Sequence, residues 1–322
     1  MRYALRCAWL ILAVLAASSG SVRSVAHAAG ASEVERANRD TVGIVSGSVT
    51  GTYARFAQDL ADALDAPGEL RIIAMLGKGS IQNVADLLYL RNVDAAIVQS
   101  DVLQYFKENR VFPGIEEKIR YVTKLYNEEV HVLARPEISS LKDLAGKKVN
   151  IGPKGSGTAM TSRILFDIED IPIEALHLSN SEALAALRAG SIAAAVFVVG
   201  KPATYFREIR NDLGLRFLPV ELTKGLEDVY LDAELTSEDY PNLVPPGERI
   251  PTIAVGAVLA VYNWKPGTSR FDRTNRFVRR LLESLPLLQT EAYHPKWKAV
   301  DLRATIPGWR RLETVEQWLA AN

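Results

Sequence analysis

This sequence of 322 residues is poor in the groups most enzyme chemistry needs, with one cysteine and four histidines. A single thiol neither closes an internal disulfide nor supplies a cysteine metal cluster. Beyond residue 28 the histidines are His131, His177 and His294, far apart and without an H-x-x-x-H pair, so each reads as a solvated or core side chain and no metal is expected. Net charge is also missing: 38 Lys and Arg balance 38 Asp and Glu, which removes the electrostatic case for nucleic acid. Nucleotide and hydrolase motifs fail in detail. Gly77-Lys78-Gly79-Ser80 lacks the Gly-Lys-Ser/Thr order of a phosphate loop, Gly152 to Gly157 reads G-x-x-G-x-G, and no G-x-S-x-G elbow surrounds any serine. No cofactor is expected.

What is present is an ordinary globular composition, 48% hydrophobic and 24% charged, in a chain long enough for two domains. Its start differs from the rest. Arg2 and Arg6 precede the apolar run Ala8 to Ala17, too short for a bilayer span, and Ala26-His27-Ala28 offers a small-x-small cleavage site. The pattern predicts a signal peptide over residues 1–28, cleaved after Ala28, with a linker over 29–40 and a periplasmic mature protein. Cys7 lies ahead of the apolar run, so it leaves with the signal. Removing residues 1–28 takes away Arg2, Arg6 and Arg23 and no acid, leaving 35 basic against 38 acidic residues, a net of −3. Such a chain must hold an anion by local donors.

The mature sequence repeats one grammar of short apolar strand, Gly/Ser/Thr turn and amphipathic helix. Thr41 to Val45 leads through Ser46 to Thr52 into a helix with Phe56, Leu60 and Leu64 on one face. Leu70 to Leu76 leads through Gly77 to Ser80 into a helix marked by Ile81, Val84 and Leu88; Ala95 to Val98 runs into Gln99-Ser100-Asp101, where Asp101 reads as a helix cap. The grammar restarts at Lys148 to Ile151, followed by the turn Gly152 to Thr158, a helix face of Met160, Ile164 and Leu165, and a capping box at Ser179-x-x-Glu182. This predicts an α/β protein of two lobes, each with a mostly parallel sheet covered on both faces. Tyr121 to Arg135 and Ile253 to Tyr262 read as crossing strands forming a two-strand hinge. Lobe I then comprises 41–129 and 255–322, and lobe II 130–254. In the tail, Phe277, Leu281 and Leu285 share a helix face that Pro286 is expected to stop.

Turns of this kind place helix N-termini, with unpaired N–H groups and about half a positive charge, at the carboxyl ends of strands, where open α/β sheets bind ligands. One such turn is simply turn chemistry; four, spread over two lobes, favour an anion site. Two readings stay open for Lys78, Lys154 and Lys201, as solvated loop lysines or anion contacts, and for Tyr53 and Tyr126, as cleft walls or ordinary half-buried rings.

The ordered set Thr50-Gly51-Thr52-Tyr53, Gly79 to Val84, Ala96 to Asp101, Val130 to Arg135, Gly155-Ser156-Gly157-Thr158 and Ala186 to Gly190 resembles the TAXI family of solute receptors, the extracytoplasmic partners of TRAP transporters. The resemblance runs over nearly the whole mature chain and is densest from Thr41 to Pro202. It implies a type II periplasmic binding-protein fold that closes on one small anionic metabolite, a carboxylate such as glutamate or 2-oxoglutarate. The implied membrane partner is a TRAP-type permease. The ligand-facing positions it implies are Thr50, Tyr53, Ser80, Gln99, Ser100, Tyr126, Ser156, Gly157 and Thr158. This chain departs from the family with Ala54 in place of a second aromatic and Asn127 where Tyr-Pro-Glu is common. A monomer is expected. Two rivals remain. A periplasmic dehydratase or lyase on the same scaffold needs a general base, which none of the turns supplies as a histidine; a ligand carrier for a membrane sensor has the same sequence signature.

Overall fold

In a computed structural model the chain falls into two compact units, residues 1–41 and 42–322. The structure describes residues 40–49, 51–66, 68–210 and 213–322, together with 33, 35 and 38. Residues 33, 35 and 38 are helical and residue 40 lies in a turn. The predicted signal peptide, most of the predicted linker and Thr50 lie outside the described residues.

The larger unit runs β1 (Thr41–Val45), α1 (Thr52–Leu64), β2 (Arg71–Met75), α2 (Ser80–Tyr89), β3 (Ala95–Gln99), α3 (Val102–Glu108), α4 (Ile115–Lys118) and β4 (Ile119–Ala134). It continues with β5 (Lys148–Asn150), α5 (Gly157–Ile168), β6 (Glu174–Leu176), α6 (Asn180–Arg188), β7 (Ala194–Val199), α7 (Thr204–Arg207) and β8 (Arg216–Phe217). β9 (Leu231–Thr236), β10 (Arg249–Tyr262), α8 (Ser269–Leu288) and α9 (Glu313–Ala321) complete it.

These strands form one sheet in the order β2-β1-β3-β10-β4-β7-β5-β6, with β8 on β4 and β9 on β10. The sheet is mixed, a correction to the mostly parallel one expected. β1 and β3 pair parallel, as do β5 with β6 and with β7, whereas β10 runs antiparallel to β3 and β4, and β4 antiparallel to β7. The reason is the crossing itself: β4, of 16 residues, and β10, of 14, lie side by side from Ile119↔Tyr262 to Glu129↔Ala254, and a strand that leaves and one that returns must oppose each other. Bulges at Ala257/Val258 and Leu259/Ala260 bend this pair. Two α/β halves result, one around β1 to β3 and the other around β5 to β7.

Strand alternation explains the core. Ala95 and Ile97 face α1 and α8 in a cluster with Phe56, Leu60, Phe277 and Leu281, while Ala96 and Val98 face Val84 and Leu87 of α2. In the other half Ala194 and Val196 pack toward Met160 and Leu165 of α5, and Ala195 and Phe197 toward Leu187 of α6. Burial on both faces makes these strands continuous apolar runs instead of alternating ones. His131 sits inside that core, its ring nitrogens 2.8 Å from the Glu129 carbonyl and the Tyr240 hydroxyl, and burial pushes its pKa down to about 3, so it is a neutral packing residue.

Pro286 does not stop α8, which runs on to Leu288. A proline in the last turn removes one N–H, and the burial of Leu285 and Leu288 against the core holds that turn in place.

Candidate functional site

The turn after each strand is fixed by short polar links. Ser46 Oγ donates to the Met75 carbonyl at 2.7 Å, and the buried Asn83 amide donates to the carbonyl of Ile97 at 2.8 Å and to that of Ser46, tying the ends of β1, β2 and β3 to the first turn of α2. α1 and α2 begin at Gly51 and Gly79, so no side chain caps their first N–H groups, and among those of α2 only the Gln82 N–H has a carbonyl partner, Gly155 at 3.4 Å. Across from them, Ser156 caps α5 by accepting from the Ala159 N–H at 3.1 Å, and Ser179 forms with Glu182 the capping box predicted for α6. Ser156→Ala is expected to lower the unfolding free energy by about 1 kcal/mol, read from denaturant midpoints, through loss of that cap.

All four helix starts border one cavity of 670 Å³ between the halves. Tyr53, Ser80 and Gln99 line it from one side, and Ser156, Gly157 and Thr158 from the other. Leu184, Phe197, Val198 and Val199 give it an apolar lining, and Thr204 and Tyr205 line it as well. Among the described lining residues Lys78 carries the only positive charge, on an exposed side chain, while Glu128 and Glu208 carry the acids.

Two predicted positions lie elsewhere. Ser100 turns to β10, its Oγ accepting from the Gly256 N–H at 3.2 Å, because successive residues at the end of a strand point to opposite faces and Gln99 takes the cavity side. Tyr126 is buried beneath the site, 4.7 Å from the Phe56 ring and 6.5 Å from the Tyr53 ring. Of the three lysines, Lys154 does not line the cavity, and Lys201 pairs with Asp239 at 3.0 Å.

Sequence reasoning missed Glu128. It follows Tyr126 by two residues on β4, hence on the same face, and reaches the cavity where Tyr126 does not. Residues two apart on a strand share a face, so the strand reading of Tyr121 to Arg135 together with Tyr126 as a site position was a signal for Glu128 as well. The carboxylate is 5% exposed and accepts from the Tyr53 hydroxyl at 2.6 Å; burial pushes its pKa up to about 8, with the Glu129 charge adding to the rise. The cleft therefore does hold a titratable acid, supplied by a crossing strand and not by a turn.

Asp101 is no helix cap. Its side chain makes no capping bond, and Oδ2 instead accepts from Thr161 Oγ1 of α5 at 2.8 Å and from the Tyr230 hydroxyl at 3.2 Å, both from the opposite half. Burial raises its pKa to about 6 against the lowering effect of those two hydroxyls. The halves also meet where Gln82 N–H approaches the Gly155 carbonyl at 3.4 Å and where Gly79 abuts the backbone of Ser156. Gly79 has φ +113°, and an added Cβ would lie 2.9 Å from Ser156 Cα, so glycine is required there for both conformation and clearance. Among the described residues no group of histidines, cysteines and acids could hold a metal ion.

The model of the NMT1-like family matches residues 44–306, which spans every element that borders the cavity. The chain belongs to the NMT1-like family. Solved structures to which this NMT1-like chain is similar include one described as a periplasmic transporter, at 12% identity over 87% of this chain and 92% of that one, with a TM-score of 0.49. A variant of the arginine-binding protein from T. maritima is similar at 14% identity over 82% and 98%, with a TM-score of 0.46. The alkanesulfonate-binding protein SsuA from Xanthomonas axonopodis pv. citri, bound to MOPS, is similar at 16% identity over 87% and 83%, with a TM-score of 0.42.

Proposed function

We propose that this NMT1-like protein is an exported solute receptor that captures a small carboxylate between its halves and delivers it to a TRAP-type membrane permease. The observation that carries the reading is the convergence of four helix starts on one 670 Å³ cavity. Two of them, at Gly51 and Gly79, have no side-chain cap. Open N–H groups and the partial positive charge at helix ends suit a carboxylate, and the Thr158 hydroxyl, which accepts from the Val198 N–H at 3.3 Å, adds a donor from the other half. The two segments 41–129 with 255–322, and 130–254, move as lobes about β4 and β10. The ligand stabilises the closed arrangement by touching both, since only a differential contact shifts such an equilibrium. Export follows from the N-terminal signal pattern, and residues 1–28 are absent from the working protein.

A thermal-shift screen of the mature protein against dicarboxylates, amino acids and phosphorylated metabolites tests this. A ligand at about 100 times its dissociation constant adds about 2.7 kcal/mol of stability, a clear rise in melting temperature. A response to neutral or cationic solutes alone would overturn the anion reading. Turnover of a bound solute, lost in Glu128→Gln, would replace the receptor by an enzyme using that acid as its base. Copurification of the ligand-loaded protein with a sensor and not a permease would replace the transport partner.

A further inference from the structure

The cleft contains a feature that capture of a plain anion does not use: a buried carboxyl group set in its wall. Glu128 is 5% exposed and lines the cavity that the helix starts border. Its one hydrogen bond among the described residues is the 2.6 Å contact from Tyr53, and no cationic side chain pairs with it there. Lys296, the nearest basic group acting on it, lies 3.8 Å from the neighbouring Glu129 and donates to the Asn127 carbonyl at 3.3 Å, so it is engaged with the backbone and the other acid.

Resting on the receptor reading above, the geometry points to an amine-reading subsite: Glu128 takes the ammonium group of a ligand whose carboxylate lies at the helix starts, so the cleft selects amino acids over the matching 2-oxo acids. A protonated Glu128 offers an anion one hydrogen bond and an ionised one repels it, whereas an ammonium group gains the full charge pairing. A zwitterion meets both poles of the site.

Proton bookkeeping follows. In the ligand-free cleft, burial raises Glu128 to about 8, so at pH 7 it is mostly protonated. The groups facing it reinforce this or stand aside. Tyr53 on α1, Tyr126 on its own strand and Tyr205 on α7 are all held neutral by burial. Glu129 and Asp101 add negative potential, and Lys296 offsets part of it. An arriving R–NH3+ makes the carboxylate the favoured form, and the carboxyl proton leaves to solvent while the ammonium keeps its own. Capture of an amino acid at pH 7 thus releases about one proton, and apparent affinity rises about tenfold for each unit by which the pH is raised toward about 8. Capture of a 2-oxo acid releases none.

The test is calorimetry on the mature wild-type protein with two matched pairs, L-glutamate against 2-oxoglutarate and L-leucine against 4-methyl-2-oxopentanoate, the second chosen for the apolar wall. Titrations in phosphate and in Tris at pH 7 read the proton through the two buffers' different ionisation heats. Expected is binding of an amino member at least about tenfold tighter than its oxo partner, with about one proton released. Glu128→Gln is expected to abolish the proton release and the preference while keeping weak carboxylate binding. The pH and buffer dependence of the wild type decides the matter even where the variant does not fold. An oxo acid bound as tightly as its amino partner, or an amino acid bound without proton release, overturns the inference and leaves the receptor reading standing. So does a screen in which an anion without nitrogen binds and no amino acid does. A screen in which no anion binds at all overturns the receptor reading itself.

Discussion

Gly157→Ala is expected to leave the protein folded and to weaken solute capture by about a hundredfold, or about 2.7 kcal/mol. A Cβ at Gly157 would lie 1.7 Å from Gln99 Oε1, 2.4 Å from Gln99 Cδ and 2.8 Å from Ser80 Oγ. Real side-chain atoms do not approach so closely, and Gln99 has little room to yield. It is 2% exposed, its N–H donates to Ser80 Oγ at 2.9 Å, and its Oε1 receives the Ser80 hydroxyl at 3.2 Å. Within its own half the change is mild: Gly157 opens α5, and alanine favours a helix over glycine by up to about 1 kcal/mol. The clash therefore falls on the contact between halves and not on the folding of either. Calorimetric affinity and the radius of gyration with and without ligand make the measurement. Wild-type affinity, or ligand-induced compaction equal to wild type, would show that Gly157 does not face Gln99 in the bound state.

That contact also marks where the sequence stops being readable. The strand–turn–helix units were legible because their signals are local: Phe56, Leu60 and Leu64 repeat at helical spacing, and Ser179 and Glu182 carry their own capping box. Turns at strand ends were likewise local, and they led to Tyr53, Ser80, Gln99 and the Ser156 to Thr158 turn, which the structure brings to one cavity. What failed depended on direction or on distant partners. The resemblance implies both Gln99 and Ser100 as ligand-facing, although successive residues at a strand end point to opposite faces. Asp101 has the residue type and position of a cap, yet its partners Thr161 and Tyr230 lie 60 and 129 residues away and leave no trace beside it in the sequence. Glu128 looked like part of a crossing strand, and only the packing of α1 over β4 turns it into the wall of a cleft.

Raising the pH from 5 to 8 is expected to destabilise the ligand-free protein, and Asp101→Asn to remove the part of that loss that falls below about pH 6. Asp101 titrates near 6 in this structure against an ordinary value of 3.8, with burial as the main cause. The folded, closed form thus prefers the protonated acid. The stability this preference contributes is fully present below 3.8 and is lost as pH rises through about 6. Two units correspond to about 3 kcal/mol. Glu128 acts in the same direction over a higher window, from its ordinary 4.5 up to about 8. An asparagine at 101 keeps an oxygen to accept from Thr161 and Tyr230 and carries no charge at any pH, so its advantage over the wild type should build up between 3.8 and about 6 and stay constant above that. Melting temperatures of both proteins at pH 5 and pH 8 separate the effects. The wild type should fall by about two to four degrees more than the variant, because only about one of those two units, about 1.4 kcal/mol, is lost above pH 5. Parallel pH profiles would mean that Asp101 is already ionised in the folded state, its carboxylate held by water between the halves. A remaining slope between pH 6 and 8 in the variant is the part assigned to Glu128, and Asp101→Asn combined with Glu128→Gln should flatten it.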